Sequence, residues 1–107
     1  MIYVAGCYNG TKLMPFLKIG HSDDPERRIK RIQTDNPFRV ELMYDTEGGR
    51  DFEQYLKWKM KEWCLRGEWY EMIPCQDFYD FIEEAKKKYD YSHNQSFRRL
   101  FCNEEAA

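Results

Sequence analysis

The sequence is short of the residues that break or disorder a chain. Four Pro and six Gly among 107 residues are too few for a collagen-like, low-complexity or linker-rich protein. No apolar run approaches the roughly 18 residues that a membrane-spanning helix needs, and no basic stretch leads into an apolar one near the start, as in a secretory leader. The expectation is a soluble, cytoplasmic protein with no membrane role. Its two histidines, His21 and His93, have no partner at ligand spacing. Its four cysteines, Cys7, Cys64, Cys75 and Cys102, form no CxxC pair and have no His pair nearby. Zinc ligands usually come in close pairs, because one turn must present two of them to one ion. A structural metal or a disulfide framework is therefore not expected, and the four read as reduced, mostly buried thiols. A strong charge of one sign is also missing. Seventeen basic residues against 19 acidic ones leave a net charge of −2, which excludes a protein that simply coats nucleic acid.

What is present is a core-forming composition. The chain is 42% hydrophobic and 17% aromatic, so a single domain filled with large rings is expected. The charge is unevenly spread: residues 1–66 carry 12 Lys+Arg against 10 Asp+Glu, and residues 67–107 carry 5 against 9. An anionic ligand therefore belongs with the first two thirds, where Arg27, Arg28, Lys30 and Arg31 cluster.

Ile2 to Tyr8 reads as a strand, rich in β-branched and aromatic residues, and Asn9-Gly10 as a hairpin turn. The returning strand is expected at Phe16–Gly20, after a loop longer than a tight turn needs. Asp24 as N-cap, Pro25 at the first position and Glu26 in the first turn announce a helix with Ile29 and Ile32 on its buried side, stopped at Asn36-Pro37. Arg39–Tyr44 alternates, with Val40, Leu42 and Tyr44 on one face, as a third strand. Phe52, Tyr55, Leu56, Met60 and Trp63 form the stripe of an amphipathic helix closed by Gly67. Glu68–Met72 reads as a short edge segment. A last helix carries Phe78, Phe81, Ile82, Ala85 and Tyr89, and from Asp90 the signal fades. The expected fold is α+β: a small antiparallel three-stranded sheet flanked by helices, with an additional C-terminal helix. Residues 1–89 make the domain, and 90–107 a tail, partly packed through Phe97, Leu100 and Phe101 or frayed.

Several side chains carry potential chemistry. Glu53, next to Phe52, sits about 100° round the helix and flanks the buried stripe; it either faces the sheet or pairs with Lys57 one turn on. Arg28, beside Ile29, is better placed than Arg27 to point at the sheet, and its planar fork suits a phosphate. Lys18 stands between apolar residues in a strand, either snorkelling or supplying a pre-placed cation. Tyr3 and Tyr8 are strand tyrosines. Ser22 has no base beside it and reads as a capping residue. One carboxylate, an arginine, a tyrosine and a lysine, without a Cys–His or Ser–His pair or a Gly-rich loop, suit metal-assisted phosphodiester cleavage better than acyl transfer or nucleoside triphosphate chemistry.

Ile2-Tyr3, Lys18-Ile19-Gly20, Asp24-Pro25-Glu26-Arg27-Arg28, Gln33-Thr34-Asp35-Asn36-Pro37, Glu53 with Leu56, and Gly67-Glu68-Trp69-Tyr70 occur in an order that resembles the GIY-YIG endonuclease superfamily. The nearer resemblance is to its phage-type branch, with a KIG second motif and a GEW(F/Y) segment. It covers residues 2 to about 72. It implies a single-metal endonuclease that hydrolyses DNA with Mg²⁺ (or Mn²⁺). In that reading Tyr3 helps to activate the attacking water and Lys18 assists it or meets the phosphate. Arg28 stabilises charge on the phosphate, and Glu53 holds the metal. Gly20 admits a close backbone approach, and His21, Arg27 and Arg31 join Gly20 in binding substrate. The chain departs from the pattern at Met1, where the first motif has its Gly, and at Ile32, where a His or Tyr often assists. The late Asn has no clear counterpart, and Glu68 is the candidate to replace it. The alternative is a weakly active or inactive module of this fold that binds nucleic acid or a protein partner. A homodimer that extends the DNA surface is a further expectation.

Overall fold

The computed structural model describes residues 1–99, with side-chain surroundings through Asp90. Its order is β1 (Ile2–Asn9), β2 (Lys12–His21), α1 (Pro25–Thr34), β3 (Arg39–Thr46), α2 (Arg50–Lys59), a 3₁₀ turn at Lys61–Trp63, β4 (Cys64–Arg66), β5 (Trp69–Tyr70) and α3 (Gln76–Arg99). The architecture is α+β, and every strand pairing is antiparallel. The expected three strands form β3-β1-β2, and two short ones extend the sheet to the order β3-β1-β2-β5-β4.

Helices cover both faces, which explains why β1 is buried at six consecutive positions, Ile2 to Cys7. A strand covered on both sides has no solvent face to alternate with. Ile2 and Val4 join Leu17, Ile19, Phe52, Leu56, Met60, Tyr70, Phe78 and Ile82 in the larger core under α2 and α3. Tyr3, Ala5 and Cys7 face the other way, into a smaller core with Ile29 of α1 and Val40 of β3. Ile32 packs at the edge of that second core.

Four expectations about elements are corrected. First, β2 begins at Lys12 directly after a two-residue turn, with Gly10 at φ 66°. The extra length is absorbed by a bulge: Gly6 pairs with Leu17 and Tyr8 with Leu13, so Pro15 sits where no regular ladder bond is required. Second, Val4 pairs with Tyr44 but Ala5 with Leu42. Met43 is the extra residue, and Tyr44 moves to the larger core while Val40 and Leu42 stay in the smaller one. Third, α2 ends at Lys59 with Met60 buried as its cap. Trp63 leaves the expected stripe and is 46% exposed, and Gly67, at φ 59°, turns the β4–β5 hairpin instead of closing the helix. Fourth, α3 does not stop near Tyr89 but continues to Arg99. The expected packing of Phe97, Leu100 and Phe101 lies outside the described residues. Of the free thiols, Cys7 is buried but Cys64 and Cys75 are exposed, so the expectation of mostly buried cysteines is also corrected.

Asp24 caps α1 as expected, accepting from the Arg27 amide at 3.2 Å. The far end is tied down by Gln33. Its amide nitrogen donates to the carbonyls of Phe38 (2.9 Å) and Asn36 (3.3 Å), and its Oε1 accepts from the Val40 amide at 2.7 Å. One side chain thus satisfies backbone groups across the whole α1–β3 connection. Gln33→Ala is expected to lower stability by about 1–3 kcal/mol, read as a fall in the thermal midpoint followed by circular dichroism.

Candidate active site

The hairpin sets the first two groups. Tyr3 pairs with Gly20, and Ala5 with Lys18, so strand alternation sends Tyr3 and Lys18 to the same face, toward α1. A Cβ on Gly20 would lie 2.5 Å from the Tyr3 hydroxyl and 2.5 Å from the ring carbon bearing it. Only a hydrogen at position 20 leaves room for the phenol. The Tyr3 hydroxyl is buried; among the described residues it meets no partner at full hydrogen-bond geometry, although the Arg28 guanidinium lies near enough to donate to it. Burial pushes its pKa up, the Arg28 guanidinium beside it pulls it back, and Glu68 and Glu53 add to the rise. The net direction is upward, so the phenol keeps its proton at neutral pH. Tyr3, Arg28, Glu53 and Glu68 therefore share one electrostatic environment.

The second half of the site is a chain of ion pairs. Lys18 Nζ donates to Glu68 Oε1 at 2.6 Å, Lys57 Nζ to Glu68 Oε2 at 2.6 Å, and Lys57 Nζ lies 2.7 Å from Glu53 Oε2. Glu53 is 5% exposed, the only buried charged residue among those described. Glu68 is delivered by the β4–β5 turn: its carbonyl accepts from the Ile19 amide at 3.0 Å, and Trp69 pairs with Lys18. The Trp69 ring lies under the Lys18 ammonium, 5.8 Å from its centroid. Lys18 is thus neither a snorkelling stem nor an isolated cation, because its ammonium is held on two sides. The motif Gly67-Glu68-Trp69-Tyr70 divides its labour: the glycine turns, the carboxylate bridges two lysines, the indole covers one of them, and Tyr70 fills the core.

The structure therefore sets Tyr3 against Gly20 and within electrostatic reach of Arg28 and Glu53, and links Lys18 to Glu53 through Glu68 and Lys57. Arg27 and Arg31 lie beside Arg28 on exposed α1 positions, lining a cleft of about 210 Å³ with Ser22, Asp23 and Asp24. His21 does not join them. It pairs with Ile2, so alternation directs it to the opposite side of the sheet from Tyr3. Sequence reasoning missed Lys57 as a site residue. It entered as an ordinary helix partner for Glu53, and that pairing is present, but the same ammonium also reaches Glu68. No local spacing signals a contact across 11 residues between a helix and a hairpin turn.

The donor set fits a hard divalent cation held at one point. Among the described residues no group of three or more His, Cys, Asp or Glu converges, so a closed all-protein metal cage is not on offer. Glu53 supplies a single carboxylate. Mg²⁺ keeps several waters and takes substrate oxygens, so one carboxylate is chemically adequate.

The ion pairs make stability pH-dependent. Burial pushes the Glu68 carboxyl up, but Lys18 and Lys57 outweigh it and hold the carboxyl below the usual carboxylate range. Its contribution is complete above the unfolded value of about 4.3 and is lost as pH falls through the depressed folded value. For Lys57, burial pushes down and the two glutamates push up further. Its contribution is complete below about 10.4 and is lost as pH rises through the raised value. Urea unfolding between pH 2 and 7 is expected to show Glu68→Gln less stable than wild type at neutral pH, with the difference shrinking in acid.

No curated protein and no solved structure gives a significant match to this chain. The T5orf172 domain matches residues 1–90, a span that contains both faces of the sheet, Tyr3, Lys18, Arg28, Glu53, Lys57 and Glu68. The chain belongs to the T5orf172 domain family, a nuclease-associated domain of the GIY-YIG-like or HNH type.

Proposed function

We propose that this protein is a divalent-metal-dependent endonuclease that hydrolyses phosphodiester bonds in nucleic acid, with DNA as the substrate. The observation that supports this reading is a buried phenol hydroxyl set beside an arginine, within electrostatic reach of two carboxylates, on a face that also presents a fixed lysine.

Each residue has a role that follows from its chemistry. Glu53 would hold Mg²⁺ or Mn²⁺, which when bound supplies Lewis-acid charge against the phosphate. Tyr3, protonated and locked by its contact with Gly20, offers an oxygen lone pair to orient the attacking water. Tyr3 therefore orients the water without taking its proton, which would pass to solvent, because a phenol with a raised pKa is not ionised at neutral pH. Arg28 is always charged, and its fork grips two phosphate oxygens as negative charge grows on them. Lys18, braced by Glu68 and Trp69, presents its ammonium at fixed geometry and so loses little freedom when a phosphate arrives. Arg27 and Arg31 extend the cationic surface along the strand of nucleic acid, where they contribute affinity but no chemistry.

A second reading has one observation in its favour. Lys57 already neutralises Glu53, which suits a module that binds nucleic acid or a protein partner with little turnover. Plasmid nicking with Mg²⁺ or Mn²⁺ separates the two. Wild type is expected to nick and to stop on chelation. Glu53→Gln and Arg28→Ala are each expected to lose on the order of 10²-fold or more in kcat. Arg27→Ala should raise KM and leave kcat close to wild type. Tight association without metal-dependent nicking would support the binding module.

A further inference from the structure

We infer that Lys57 is a resident competitor for the metal at Glu53, and that Glu68 is the positioning residue that takes over its ammonium when the metal enters. This rests on the reading of Glu53 as the metal-holding carboxylate and adds what controls its occupancy. Lys57 Nζ stands 2.7 Å from Glu53 Oε2 and 2.6 Å from Glu68 Oε2, so a single ammonium is shared between two carboxylates. Glu53 is 5% exposed and Lys57 is 18% exposed at its side chain, a setting where charge interactions are screened less than at the surface. A divalent ion and an ammonium repel each other across one carboxylate, and the repulsion is settled by moving the weaker-bound partner. Lys57 has somewhere to go. It already touches Glu68, which Lys18 anchors from the other side at 2.6 Å, so the transfer needs only a small shift and no change of protonation. Glu68 keeps two lysines ordered in both states. The chain thereby avoids a bare buried carboxylate when no metal is bound, at a cost in metal affinity.

Metal affinity measured without substrate tests this directly. Mn²⁺ binding, followed by electron paramagnetic resonance and by calorimetry, is compared for wild type, Lys57→Met, Lys57→Arg and Glu53→Gln, with circular dichroism confirming the fold. Lys57→Met keeps the apolar stem and removes the charge; Lys57→Gln replaces it if the methionine variant does not fold. The expected result is a Kd tightened roughly tenfold or more in Lys57→Met, a value near wild type in Lys57→Arg, and loss of binding in Glu53→Gln. Glu68→Gln is expected to weaken Mn²⁺ binding in wild type and to weaken it less in the Lys57→Met background, since no ammonium then needs rehousing. An affinity that is unchanged or weaker in Lys57→Met, while Glu53→Gln still abolishes binding, overturns the inference and leaves the metal site standing. Mn²⁺ binding that is unaffected by Glu53→Gln, or absent from both wild type and Lys57→Met, overturns the metal site and the inference together.

Discussion

A carboxylate taken out of water must be compensated, and at Glu53 that requirement organises a third of the molecule. The group is 5% exposed. A buried ion left unpaired costs several kcal/mol, so the helix that carries it must bring a cation, and Lys57 one turn later does so. One lysine shared by two acids needs a second cation to balance the set, and Lys18 supplies it from β2. The result ties α2, the β4–β5 turn and β2 together through alternating charges. β2 and β5 are also joined by ladder hydrogen bonds, but α2 otherwise meets the sheet through apolar packing, which is non-directional and tolerates sliding. The ion chain fixes the register with which α2 sits over the sheet edge.

The other face is fixed by shape. Tyr3 lies flat against Gly20 because nothing larger than hydrogen fits there, and the phenol ends in a buried hydroxyl beside the Arg28 guanidinium. That guanidinium eases the burial of a hydroxyl that would cost about 1–3 kcal/mol if left unpaired. The charge-locked carboxylate and the buried phenol sense each other electrostatically.

Much of this was legible in the chain, and the boundary between legible and hidden has a physical basis. The Asp24-Pro25 helix start and the Asn9-Gly10 turn are governed by a few neighbouring residues, so reading them locally suffices. The placement of Glu53 beside the stripe followed from helical geometry, and the convergence of Tyr3, Lys18, Arg28 and Glu53 followed from the resemblance. Two bulges were not legible, because a bulge is decided by the partner strand: Met43 is displaced only relative to Val4 and Ala5. The end of α2 was also hidden. The apolar spacing that includes Trp63 continues past Lys59, but burial of Met60 and the pull of the Gly67 hairpin bend the chain away first. Within Gln33–Pro37, the glutamine serves the backbone of the α1–β3 connection, and nothing in its identity separates that duty from a role in catalysis.

Net charge gave the least guidance and its distribution the most. The protein is acidic overall, yet the site assembles three cations, Lys18, Lys57 and Arg28, against two carboxylates, with Arg27 and Arg31 alongside. Opposite charges this close cancel within about a Debye length of roughly 8–10 Å, so the ion chain presents little field to a distant polyanion. What faces outward is α1, where Arg27, Arg28 and Arg31 outnumber Asp23 and Asp24 around one cleft. On the nuclease reading proposed above, long-range attraction would fall to the exposed guanidinium groups of α1, and local chemistry to the ion chain behind them, which would act only at contact. α3, with five acidic against five basic residues, adds no net charge of its own on the other face of the sheet.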